Sequence, residues 1–331
     1  MTTESTADVR LLKDLEPAVE AGLNRHLAGA KEWFPHEYVP WSRGHDFGAV
    51  FGGRAWQPDQ SSLPEAVGTS LVVNLLSEDN PPSCHPIIAE HFGRDGAWDT
   101  WFHRWTAEED LHGQAIRDYL LASRTVDPVA LGRARLAHVS AGFELEHASV
   151  AEVIAYVSFQ ELDTRVAHRN TGRLSGDPVC EGLLTRVTQD ENLHMLFYRD
   201  LLDALLELVP DVAMRAVATV VTAFRMPGHG IEGFRRKSAQ IALAGIYDPR
   251  LHDDDVLLPV LRRLNIFERP ARGADGERAR GELAAHLTAL DRAAQCFTQR
   301  REAARQRITD ADRPTRVARN AGPTVGTERT Q

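Results

Sequence analysis

The sequence predicts an all-α protein. Apolar residues recur at helical spacing in one long stretch after another, and no strand-type alternation runs over a comparable length. Alanine, leucine and arginine are abundant, whereas β-branched runs bounded by turn residues are few, a balance that favours helices. At 331 residues the chain can bury a large core.

The elements follow in order. Residues 1–8 are polar and expected to be disordered. Val9 to Leu27 places Leu11, Leu12, Leu15, Val19, Leu23 and Leu27 on one stripe of an amphipathic helix. Residues 30–63, rich in Trp, Pro and Gly, read as an extended connection. Helical patterns then cover 64–79, 97–123, 128–140, 146–170, 177–207, 211–225, 229–245, 253–264 and 276–308. Gly93 and Gly96, Gly172 and Gly176, and Pro227 with Gly228 punctuate them. Residues 310–331 are polar without an apolar period and are expected to be disordered, which leaves one domain over 9–309.

Composition excludes several classes. A net charge of -9 and a pI near 5.9 argue against nucleic acid as the main partner, because phosphate binding needs a basic face. Cys84, Cys180 and Cys296 are far apart and form no CxxC pair, so neither a disulfide framework nor a thiolate zinc site is expected. The polar N-terminus lacks the apolar core of a signal peptide. The most apolar long stretch, Leu201 to Phe224, is broken by Asp203, Glu207, Pro210, Asp211 and Arg215, so no membrane span is expected. These features predict a soluble, cytoplasmic protein.

Two short motifs carry chemistry: Glu109-Asp110-Leu111-His112 and Glu191-Asn192-Leu193-His194. Residues three apart on a helix are neighbours, so each Glu and His can offer an oxygen and a nitrogen to one metal ion. A third copy, Glu144-x-x-His147, shows how cheaply the pattern arises and reads as surface chemistry. What sets the first two apart is a lone Glu upstream of each: Glu78 precedes Glu109 by 31 positions, and Glu161 precedes Glu191 by 30. That distance suits a half helix, a turn and a half helix. Two such units match the ligand set of ferritin-like di-iron bundles, in which four carboxylates and two histidines make a hard cage for two irons. Zinc fits less well, because it usually takes four ligands at a single ion. The alternative is two helix pairs whose acidic faces are solvated.

Longer segments add a family resemblance. WTAEEDLHG (Trp105 to Gly113), YVSFQELDTRVAHRNTG (Tyr156 to Gly172) and DENLHMLFYRD (Asp190 to Asp200) resemble signature segments of the soluble acyl-acyl-carrier-protein desaturases, closest to the actinobacterial branch. EWFPHEYVPW and SEDNPPS around Glu78 extend the likeness, which runs from about Leu11 to Phe267. The resemblance implies a ferritin-like four-helix core with additional helices and two irons held by Glu78, Glu109, His112, Glu161, Glu191 and His194. Glu109 and Glu191 would bridge. It also implies a role for Thr164 in proton delivery, and for Asp190 and Trp33, with His112, in carrying electrons inward. The implied activity is O2-dependent insertion of a cis double bond into a fatty acyl chain on acyl-carrier protein. Electrons would come from a ferredoxin-type donor, and the enzyme would be a homodimer.

Acyl-carrier protein is acidic, so a local basic patch is expected despite the net charge, and Arg235, Arg236 and Lys237 are the candidates. Four departures from the family pattern stand out: Pro81 with Pro82, Leu111, Asp163, expected to add a carboxylate near the cavity, and Cys84. Competing readings are a di-iron oxygenase of another acyl or small substrate, an iron-storing ferritin-like protein, and an inactive homologue that binds acyl-carrier protein. Membrane-bound desaturases are disfavoured, because they need spans and histidine-rich boxes, and here no span is expected and no two histidines lie three or four apart.

Overall fold

Three Asp-Pro pairs mark where the chain turns into helix. In the computed structural model, which describes residues 6–48, 51–79, 95–142, 149–225, 227–270 and 273–311, the carboxylates of Asp127, Asp177 and Asp248 each accept a hydrogen bond from the backbone N–H two residues on. Pro128, Pro178 and Pro249 take the first helical position, where a missing N–H costs nothing. Among the described residues the α-helices longer than one turn are α1 (Thr6–Gly29), α2 (Glu65–Glu78), α3 (Gly96–Ala122), α4 (Pro128–Ala141), α5 (Val150–Leu174), α6 (Pro178–Leu208), α7 (Pro210–Ala223), α8 (Phe234–Ala244), α9 (Leu258–Arg263) and α10 (Ala274–Ala311), and Pro249–Leu251 is a single turn. No strand occurs among the described residues, and the fold is ferritin-like.

Most expected elements appear, with informative differences. α1 starts at Thr6, so Thr6 to Asp8 are helical rather than part of a disordered end. Leu27 is 49% exposed and leaves the predicted stripe, because His26, buried at 3%, takes the inward place in the last turn. The described part of the 30–63 connection contains short 3-10 turns, among them Pro35–Glu37, Trp41–Arg43 and Pro58–Gln60. α5 begins only at Val150, capped by Ser149, whose hydroxyl accepts from the Glu152 N–H. The 253–264 helix opens with a π-helical segment, His252–Leu257. Pro259 follows it and lacks the N–H that an α-helix would direct at Asp255. Residues 1–5 and 312–331, Pro81, Pro82 and Cys84, and the Glu144 to His147 pair lie outside the described residues.

α2, α3, α6 and α5 form the bundle, each packed on the next around a ring. α1 lies against α6 and α3, α7 covers the far side of α5, and α10 packs on α7. Gly22 permits the α1–α6 approach, since a Cβ there would sit 2.7 Å from the Phe197 ring. Along the bundle axis, two apolar cores flank a polar layer. One holds Trp98, Trp101 and Trp105 of α3 with Phe197 to Leu206 of α6, and the other holds Ala115 to Leu120 of α3 with Cys180 to Val187 of α6. Residues 108–112 and 190–194 fall between them. No described helix is long and apolar enough to cross a membrane. Cys180 is buried and Cys296 exposed, and both are free.

Candidate metal centre

The polar layer gathers the six residues the spacing singles out. Glu78 ends α2, Glu109 and His112 lie mid-α3, Glu161 mid-α5, and Glu191 and His194 mid-α6. All six are buried. Ligand-type atoms of Glu78, Glu109, His112 and Glu191 lie within 4.8 Å of one another, as do those of Glu109, Glu161, Glu191 and His194. Glu109 and Glu191 belong to both groups and therefore join the two candidate metal positions.

The imidazoles present Nδ1 inward. His112 Nδ1 is 3.7 Å from Glu78, 3.5 Å from Glu109 and 3.4 Å from Glu191. His194 Nδ1 is 3.0 Å from Glu109 and 3.4 Å from Glu161. Burial would raise the Glu109 carboxyl, but His112 and His194 outweigh it and hold this group well below the usual range. Burial, reinforced by Glu109 and Glu78, pushes Glu191 well up, and burial also raises Glu161. Both histidines are driven well above the ordinary imidazole value, because the surrounding carboxylates outweigh their burial.

These residues fit a pair of cations. Both oxygens of Glu161 and Glu191 and the inward Nδ1 atoms of His112 and His194 are buried without a hydrogen-bond partner. Such orphaned groups are costly unless something binds them. Oxygen-rich, partly anionic cages with imidazole suit iron, and two shared carboxylates suit two ions rather than one. A third cluster, His26, Glu108 and His194, is already satisfied internally and does not invite a metal.

The outer nitrogens reveal a crossed arrangement. His112 Nε2 lies 3.5 Å from Asp190, which precedes the other motif, and His194 Nε2 donates to Glu108 at 2.8 Å, which precedes the first. Trp33 Nε1 donates to Asp190 at 2.7 Å, its ring lies 6.2 Å from that of His112, and Arg186 also donates to Asp190. Glu108 likewise accepts from His26 at 3.1 Å and from Arg104 Nε at 2.6 Å. Two of its three donors are buried, and they outweigh the burial that would raise its carboxyl, so it lies below the usual range. Glu108, Arg104 and Arg186 escaped the motif reading, yet residues 104–112 and 186–194 share Arg-x-Thr-x-acid-Glu-x-Leu-His. Aligning the two units would have found all three. Lone histidines such as His26 and His168 carry no local signal.

The other sequence candidates divide. Thr164 Oγ1 donates back to the Gln160 carbonyl at 3.1 Å and accepts from the Gln160 side chain at 3.2 Å. Leu111 packs on the second apolar core. Asp163 does not join the cage: fully buried, it accepts from the Tyr247 hydroxyl and lies 3.3 Å from His252 Nδ1. It sits two positions after Glu161, on a different side of α5, so it adds a carboxylate to a helix joint, where burial raises it. Arg235, Arg236 and Lys237 open α8. The two arginines are exposed, while Lys237 donates to the Glu232 carbonyl.

Known proteins resemble this chain. The sequence model of the fatty acid desaturase family matches residues 7–312. A Mycobacterium tuberculosis protein, provisionally named acyl-[acyl-carrier-protein] desaturase DesA1, is 46% identical over 92% of this chain and 91% of its own length. Acyl-[acyl-carrier-protein] desaturase 7, chloroplastic, of Oryza sativa is 28% identical over 84% of this chain and 74% of its own. The X-ray structure of the M. tuberculosis H37Rv protein provisionally named acyl-ACP desaturase DesA2 superposes with a TM-score of 0.63 at 32% identity, covering 77% of this chain and 99% of that one.

Proposed function

The chain belongs to the fatty acid desaturase family, and we propose that it inserts a cis double bond into a fatty acyl chain carried as a thioester on acyl-carrier protein. The observation that supports this most is the buried Glu–His cage with its unpartnered oxygens, set between two apolar cores. Two irons held by Glu78, Glu109, His112, Glu161, Glu191 and His194 would supply the oxidising chemistry. Two C–H bonds break and one C=C bond forms. O2 takes two electrons and two protons from the acyl chain, two electrons from a donor and two protons from solvent, and leaves as two waters.

The chain's own groups have separable tasks. Glu108 and Asp190 fix the histidine rings from outside. The apolar cores keep water from the cage. Thr164, a turn beyond Glu161, would relay a proton once its hydroxyl turns from the Gln160 carbonyl. Trp33 and Asp190 link His112 to a cationic groove of about 490 Å³ between the end of α1, α5 and α6, lined by Lys31, Arg165, Arg169, Arg173 and Arg186. Against the single Glu181 in that lining, this charge suits an acidic, ferredoxin-type electron donor. The carrier protein would dock on Arg235, Arg236 and Lys237. The last two border a cavity of about 540 Å³ whose wall includes Val72, Leu76, Ala134 and His138. The enzyme would act in the cytoplasm as a homodimer.

The test is product analysis of iron-loaded protein given acyl-carrier thioesters, O2 and a reduced ferredoxin. Products two mass units lighter are expected. Hydroxylated products would instead assign an oxygenase, and unchanged substrate with full iron loading would leave a carrier-binding homologue.

A further inference from the structure

The two halves of the cage are not equivalent. Glu161 has both carboxylate oxygens free of hydrogen bonds, whereas Glu78 is held by a relay that enters from outside. His168 of α5, fully buried, donates from Nε2 to Glu78 Oε1 at 2.8 Å, and its Nδ1 accepts from the Asn74 side chain at 3.1 Å. The Asn74 amide supplies the proton on that side, so the neutral ring carries its own hydrogen on Nε2, aimed at the carboxylate. Asn74 sits one helical turn before Glu78 on α2, so the relay also ties α2 to α5 at the cage. Among the described residues no equivalent donor reaches Glu161, and His168 Nε2 lies 3.9 Å from Glu191.

We propose that His168, with its tautomer set by Asn74, is a positioning residue for Glu78, and that it governs the metal position of Glu78 and His112 but not that of Glu161 and His194. This rests on the cage being a two-iron site. An outer partner that orients a ligand typically changes metal affinity by about 10–100-fold, so the effect should be of that size and confined to one position.

The experiment is anaerobic ferrous titration of metal-free full-length protein, followed by calorimetry and by iron retained after desalting. The parent should bind two irons. His168→Leu should bind one tightly and the other about 10–100-fold more weakly. His168→Gln, whose amide can still donate to Glu78, should recover most of the loss. Adding His168→Leu to Glu78→Ala should change nothing further, whereas adding Glu161→Ala to His168→Leu should remove the remaining tight iron. If the leucine variant does not fold, as judged by circular dichroism, Asn74→Ala keeps the imidazole and should weaken the same position. Two unweakened irons in the folded variants would overturn the proposal, as would equal weakening of both. A parent that binds no iron would instead overturn the two-iron reading on which it rests.

Discussion

Replacing Glu108 by glutamine probes the crossed support of the cage with little change in volume. Glu108 accepts from His194 at 2.8 Å, from His26 at 3.1 Å and from Arg104. His26 and His194 are buried, while the Arg104 side chain is 42% exposed and counts for little. A glutamine oxygen can satisfy one buried imidazole, but its amide hydrogens then face the other. One buried donor is left unpaired, at about 1–3 kcal/mol, and a second charge-assisted bond becomes neutral and weaker. The loss should total about 2–4 kcal/mol in metal-free protein, or a melting point lower by roughly 3–6 °C. Calorimetric melting near neutral pH reads it directly. The Glu108 carboxyl is depressed in the fold, so its contribution is complete above the ordinary glutamate range and is lost as pH falls through the folded value. The parent–variant gap should therefore close on acidification. A gap below about 0.5 kcal/mol at neutral pH, or one that widens in acid, would refute the reasoning.

Three further outcomes follow from the same geometry. Ferrous loading should weaken from pH 8 to pH 6 and release protons, because entering cations displace them from His112, His194, Glu161 and Glu191, all raised in the metal-free cage; equal affinity at both pH values would contradict this. Gly22→Ala should cost about 1–3 kcal/mol in denaturant unfolding, since the new methyl meets the Phe197 ring at 2.7 Å and that ring is stacked at 3.6 Å on Trp101; a neutral result would show that α1 can shift. Arg169→Glu with Arg173→Glu should slow ferredoxin-driven turnover most at low salt while leaving reduction by a small neutral reductant unchanged; equal slowing of both would remove the groove as the donor's dock.

Much of the fold was legible because local signals agree. Asp127-Pro128 and Asp177-Pro178 are helix starts by both side-chain capping and fixed backbone angle, and the helices begin there. The cage residues were legible because a Glu-x-x-His unit with its upstream Glu is written twice at almost one spacing. What encloses the cage was less legible. His26, Asn74 and His168 sit alone on otherwise ordinary helices, and only tertiary packing brings them to Glu108 and Glu78. Asp163 stands between Glu161 and Thr164 in sequence, yet the helical turn directs it to Tyr247 and His252 rather than to the cage. Leu27 misled similarly: the apolar stripe continues through it, but the buried partner of Glu108 in that turn is His26.

The most direct test of the account is iron per chain after anaerobic ferrous loading of the parent protein and of Glu109→Ala with Glu191→Ala, the two carboxylates common to both metal positions. About two irons are expected in the parent and loss of tightly bound iron in the variant, with helical content retained. A parent that takes up no stoichiometric iron would contradict it.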